Sequence, residues 1–189
     1  MSKEEGSLNL FSGDKDCLNI VTEKNSDDFD IKSESLIFKD SKSAGKQSLI
    51  LFYGRFCPYC RRYAPIYERL QKWVSNTVIN DQLISDHFMI VGVNGMTQRE
   101  ITHHAKIMGF PTLFMTNESG EMSEANHSII TMRHSEPVNE IHFILEQLQG
   151  KIGLSDTDLM NEKNKYKIVV PQNKQLQKPK MGNSFKFTY

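Results

Sequence analysis

Ser48-Leu49-Ile50-Leu51-Phe52-Tyr53-Gly54-Arg55-Phe56-Cys57-Pro58-Tyr59-Cys60 carries fold and chemistry in one stretch. Its first six residues are almost continuously apolar, as expected for a short strand buried on both faces, and Gly54 ends the run. From Cys57 the period changes. Tyr63, Ile66, Tyr67, Leu70, Trp73 and Val74 recur at three- and four-residue steps, which predicts a helix kinked at Pro65, where a backbone donor is missing. Two cysteines, two residues apart, therefore stand where a strand passes into a helix. Cys57 falls at the helix N-terminus, where unpaired N–H groups and the macrodipole favour a thiolate. Cys60 lies about one turn further, within reach to close a small ring by attacking the first sulfur. Cys57 is thus the candidate nucleophile, Cys60 the candidate resolving thiol, and the two form a candidate redox disulfide. Arg55, Arg61 and Arg62 flank them with positive charge.

Other uses of the pair fit less well. Zinc requires four ligands, and no second CxxC or His-x-His set follows. Cys17 with His103 and His104 has no metal-site spacing, so no metal is expected. Cys17 reads as an isolated thiol and the two histidines as surface residues of a short helix. No phosphate loop, dinucleotide fingerprint or Ser-His-Asp arrangement stands out, so no cofactor is expected. Electrons then come from, or go to, a partner protein or a small thiol.

Outward from this segment, Met89-Ile90-Val91-Gly92-Val93 reads as a second buried strand. Thr97 caps a short helix running through Lys106 and closed by Gly109. Leu113-Phe114-Met115 is a strand, Asn117-Glu118-Ser119-Gly120 a turn, and Ser128-Ile129-Ile130-Thr131-Met132 the antiparallel return. Val138, Ile141, Ile144, Leu145 and Leu148 form the apolar stripe of a closing helix stopped at Gly150. Leu18-Asn19-Ile20-Val21 is a further edge strand, and residues 75–87 are long enough to add a helical turn or loop. The order implies an α/β fold with a mixed central sheet and helices on both faces.

The chain of 189 residues suits one domain with extensions, and its 38% hydrophobic and 24% charged residues exclude collagen-like and wholly disordered classes. No run approaches the roughly 20 apolar residues of a membrane span. Three cysteines do not make a secreted disulfide framework. Charge is unevenly spread. Residues 1–40 hold five Lys against ten Asp/Glu, the middle is nearly balanced, and residues 163–189 hold seven Lys and no acid. The expected organisation is an acidic extension over 1–16, a domain over 17–149 and a basic tail over 150–189. The tail interleaves Tyr166, Phe185, Phe187 and Tyr189 with its lysines but has no arginine. A plain flexible tail is the first expectation; docking on an acidic protein surface, or on this chain's own acidic front, comes next, ahead of nucleic acid. Met1-Ser2-Lys3-Glu4-Glu5 lacks an apolar h-region, so a cytoplasmic location is expected. Packaging in a virion is the alternative, suggested by a Lys-, Asn- and Ile-rich composition that would suit the AT-rich genome of a large DNA virus.

Phe52 through Leu70, with Cys57-Pro58-Tyr59-Cys60 inside it, resembles the active-site segment of the thioredoxin superfamily, closest to protein disulfide isomerase domains. Val91-Gly92-Val93-Asn94 resembles their central strand, and Gly109-Phe110-Pro111-Thr112-Leu113 resembles the loop carrying their cis-proline. The resemblance covers roughly residues 17–149. It implies a thioredoxin fold and thiol–disulfide oxidoreductase activity on protein substrates. It also implies that Pro111 packs against the cysteine pair, that the Phe110 backbone pairs with an extended substrate strand, and that Phe56 and Tyr59 form an apolar lip.

The segment also departs from that family. Leu51 occupies the place of a buried acid usual six residues before the first active cysteine, and Gly92 that of a matching lysine. Losing both leaves no unpaired charge but removes the group thought to accept the resolving thiol's proton, so slower exchange or reliance on water follows. Phe56 replaces a usual tryptophan. Cys-Pro-Tyr-Cys itself is typical of glutaredoxins and suggests a potential near their range of roughly −200 to −230 mV, but their glutathione-gripping segments are not evident. The rival expectation is a non-enzymatic scaffold of the same fold, docked into a larger assembly by its charged ends.

Overall fold

The computed structural model describes residues 21–32, 35–125 and 136–167. Five strands make the central sheet, in the order β1 (Thr22–Lys24), β7 (Phe88–Asn94), β4 (Gln47–Tyr53), β8 (Thr112–Thr116), β9 (Met122–Glu124). β1, β7 and β4 run parallel, while β8 and β9 are antiparallel to their neighbours. Two small hairpins complete the strands: β2 (Phe29–Ile31) with β3 (Leu36–Phe38), and β5 (Val78–Ile79) with β6 (Gln82–Leu83). The helices are α1 (Lys39–Ala44), α2 (Pro58–Asn76), α3 (Arg99–His104), α4 (Val138–Leu148) and α5 (Asp156–Lys165).

β4 is central because its residues bury both faces. Leu49, Leu51 and Tyr53 join the core formed with Tyr63, Tyr67 and Leu70 of α2 and Ile141, Ile144 and Leu145 of α4. Ile50 and Phe52 point the other way, into a second core with Phe29, Phe38 and Ile101. Helical and hairpin layers thus cover the two faces, the expected fold class. Each such aliphatic or aromatic side chain contributes about 2 kcal/mol when fully buried. The Tyr67 hydroxyl reaches across to the Leu49 and Val91 carbonyls at 2.8 and 3.0 Å, tying α2 to β4 and β7. At the far end of β4, Ser41, Ser48 and Thr116 satisfy one another in a buried hydroxyl cluster.

Several expectations need correction. Besides β4, β8 pairs with Met122–Glu124; the expected return strand Ser128–Met132 lies outside the described residues. The edge strand is Thr22–Lys24, one residue beyond the expected segment, whose last residue Val21 is buried. The 75–87 connection holds the β5–β6 hairpin and a 3-10 turn, Ile84–Asp86, which buries Ile84. α3 begins at Arg99 without a side-chain cap. The Thr97 hydroxyl instead donates to the Asn94 carbonyl, and the chain turns out of the helix through Lys106 at φ 54°, not at Gly109. α2 spans Pro65, as the apolar spacing predicts.

The expected boundary at 149 falls too early. Ile152 and Leu154 are buried in the main core, and α5 follows, capped by Ser155, whose hydroxyl accepts from Asp158 N. Tyr166 meets Trp73 edge-on at 5.8 Å. His142 Nε2 lies within 3.0 Å of the Lys163 carbonyl in the last turn of α5 and of the carbonyl of its C-cap, Tyr166. The packed unit therefore extends to Tyr166. Residues 1–20, with Cys17, and 168–189 lie outside the described residues.

Candidate active site

The cysteine pair sits at the carboxyl end of β4, where parallel strands open into a crevice. Gly54 leaves the strand, and the loop closes with Cys57 N–H donating to the Gly54 carbonyl at 3.0 Å. Cys57 is the N-cap of α2: its backbone is extended, Pro58 follows at the first helical position, and its sulfur accepts the Cys60 N–H at 3.3 Å. Sulfur here fills the place an oxygen takes in an ordinary cap. One turn on, Cys60 Sγ accepts the Gly54 N–H at 3.4 Å. Both cysteines are free thiols, Cys57 half-buried and Cys60 fully buried. Burial pushes the Cys60 thiol up to about 12, with the adjacent Cys57 sulfur adding to the effect.

Opposite lies the Gly109–Leu113 loop. The Phe110–Pro111 peptide is cis, as expected from the resemblance, and the Phe110 carbonyl accepts the Cys57 thiol at 3.4 Å. Two glycines seat the Phe110 ring. A Cβ on Gly95 would lie 2.5 Å from two ring carbons, and one on Gly54 would lie 3.0 Å from a third. Beyond Pro111 a groove of about 360 Å³ runs between the 106–112 loop, Phe114 and Glu124. Phe56 and Tyr59, the chain neighbours of Cys57 and Cys60, are 70% and 57% exposed. The structure thus brings Cys57, Cys60 and the Phe110 carbonyl together, with Pro111 next to Phe110 across the cis bond, while the Phe110 ring packs inward against Gly54 and Gly95.

Leu51 is fully buried, and the sheet register places Gly92 beside it and Glu23 beyond Gly92. No carboxylate stands at Leu51's position. A different buried acid escaped the sequence reading: Glu140 is 1% exposed, and its carboxylate accepts the Tyr63 hydroxyl at 2.6 Å. Burial raises this carboxyl to about 7, although the Tyr63 hydrogen bond opposes the rise. Its signal was available, because Glu140 lies within the inward stripe shared by Val138, Ile141 and Ile144. Met96 and Met108, 45% and 98% exposed near the opening, were also missed, since isolated methionines carry no positional signal. Among the described residues, no group of three or more His, Cys, Asp or Glu side chains is arranged to hold a metal ion. No described helix is long and apolar enough to cross a membrane.

The thioredoxin family model matches residues 31–133. Among solved structures, the first thioredoxin domain of mouse protein disulfide-isomerase A4 is similar at a TM-score of 0.50 and 16% identity, over 68% of this chain and 76% of that one. The zinc-bound form of human ERp44 is similar at 0.50 and 15%, over 67% of this chain but only 30% of that protein. At such identities the likeness concerns the fold. Comparison with curated protein sequences gives no match. The family match spans more than half of the chain and includes both the N-cap cysteine and the cis-proline: this chain belongs to the thioredoxin family.

Proposed function

We propose that this protein is a thiol–disulfide oxidoreductase acting on protein substrates. The observation that carries the reading is the unequal burial of two sulfurs one helical turn apart, the outer on the helix N-terminus and the inner sealed behind it.

Written in the reducing direction, the Cys57 thiolate attacks one sulfur of a substrate disulfide. A mixed disulfide forms and the other substrate sulfur leaves as a thiolate. The Cys60 thiolate then attacks Cys57 Sγ, the second substrate sulfur leaves, and Cys57–Cys60 becomes a disulfide. Two electrons pass to the substrate, and a partner dithiol or small thiol restores the reduced pair. Burial holds Cys60 protonated in the resting state, and part of that effect comes from Cys57 itself. Once Cys57 is bonded to substrate, its hydrogen bond and charge no longer oppose ionisation of Cys60. With Leu51 in the acid's place, water takes the proton. Pro111 and the Phe110 backbone hold the substrate segment, flanked by Phe56 and Tyr59.

The Leu51–Gly92 substitution favours a second reading, a scaffold whose exchange is slow. Insulin reduction with dithiothreitol as electron donor separates the two. Thiol-dependent turnover that disappears in Cys57→Ser supports the enzyme. Equal rates for wild type and Cys57→Ser leave the scaffold.

A further inference from the structure

The loop that enters α2 and the first turns of that helix carry only positive charge, while Glu124 lines the groove beyond Pro111. Arg55, Arg61 and Arg62 all lie within five residues of Cys57, and the first turn of α2 holds no acidic residue to balance them or the helix dipole. Arg61 is turned back over the active-site loop: its Nε donates to the Arg55 carbonyl at 3.4 Å. Arg62 is exposed beside it, and Arg55 is half-buried and acts on the carboxylate of Glu23 on β1. Large apolar side chains are exposed next to the cysteines in the chain, near Gly54 and on the cis-proline loop. Phe56, Tyr59, Met96 and Met108 are four of the seven large apolar side chains exposed among the described residues. Methionine adapts its shape to varied partners, so this set suits many apolar sequences and leaves discrimination to the arginines.

We infer that the site selects cysteine-containing protein segments that are apolar next to the sulfur and acidic two or three residues away, with Arg61 and Arg62 as the specificity-determining residues. The inference rests on the oxidoreductase reading above. An extended residue advances about 3.3 Å, so an acidic side chain two residues from the sulfur lies roughly 7 Å from it. That is inside the Debye length of about 10 Å at 0.1 M salt and outside that of about 3 Å at 1 M. Each exposed pair is weak, but arginines and helix dipole act with one sign on the same segment and speed its encounter with Cys57.

The test uses three homodimeric peptide disulfides that are identical except at positions two and three from the cysteine, where they carry Glu, Gln or Lys. Each rate is divided by that of the same peptide with dithiothreitol alone, which removes intrinsic reactivity. At 0.05 M salt the full-length protein is expected to prefer the Glu peptide over the Lys peptide by about fivefold, and 1 M salt should erase the preference. The Arg61→Glu/Arg62→Glu variant should invert the order, and Arg61→Gln/Arg62→Gln should lose it without inversion. Equal wild-type rates at low salt, or a Glu preference that survives charge reversal, overturn the inference while leaving the oxidoreductase reading intact. Failure to turn over any of the three peptides overturns both.

Discussion

Glu140 shows how much one side chain can set. Its carboxyl is buried in the main core with the Tyr63 hydroxyl as hydrogen-bond donor and is raised from 4.5 to about 7. The folded protein therefore keeps a proton that the unfolded chain releases. Stability from this group is complete below about pH 4.5, declines as pH rises towards 7 and is constant above it. The shift corresponds to about 3 kcal/mol. Urea unfolding between pH 4.5 and 8 should show this decline in wild type, and Glu140→Gln, which still offers Tyr63 an acceptor, should flatten it. An unchanged slope in the variant contradicts the assignment. Gly95 makes a steric prediction. In Gly95→Ala the new methyl meets the Phe110 ring at 2.5 Å, so about 2 kcal/mol of stability is lost by overpacking. Exchange should slow too, because the Phe110 carbonyl that receives the Cys57 thiol shifts with the ring. A variant with wild-type unfolding and rate overturns that role.

Among the elements, those with strong periodicity were legible before folding. β4 and β7 are continuous apolar runs because both of their faces are covered, and α2 and α4 repeat their apolar residues at helical spacing because one face meets the sheet. Weakly patterned elements were not. β9, Met122–Glu124, is a three-residue edge strand in which only Met122 is partly buried, too short for an alternation of residue type to show. α5 buries no residue fully, so its stripe is faint, yet Ser155 and Asp158 spell a capping box that announces it. The basic residues beyond it drew the expected boundary to the wrong side. Two truncations check the revised boundary by urea unfolding. The chain that ends after Lys167 is the reference. Ending it after Gly150 removes buried Ile152 and Leu154 and should cost more than about 3 kcal/mol. Trp73, the single tryptophan, loses its Tyr166 neighbour in the shorter chain, so its emission should shift to the red. Equal stability of the two truncations contradicts a packed unit extending to Tyr166.

At the scale of the whole molecule, the fold brings two distant segments to one point. β4 delivers Gly54 and the cysteine pair, and the loop before β8 delivers Phe110 and Pro111 more than fifty residues later. The CxxC spacing and its strand-to-helix setting were readable because they are local. The meeting with Pro111 was reachable only through family resemblance, since no local pattern specifies a contact at that separation. The proposed chemistry depends on the asymmetry this assembly imposes: Cys57 half-buried at a helix N-terminus, Cys60 sealed behind it. Substoichiometric alkylation of the reduced protein with iodoacetamide near neutral pH, mapped by peptide mass, measures that asymmetry directly. The label is expected on Cys57 in large excess over Cys60. Equal labelling of the two, or Cys60 labelled first, contradicts the account.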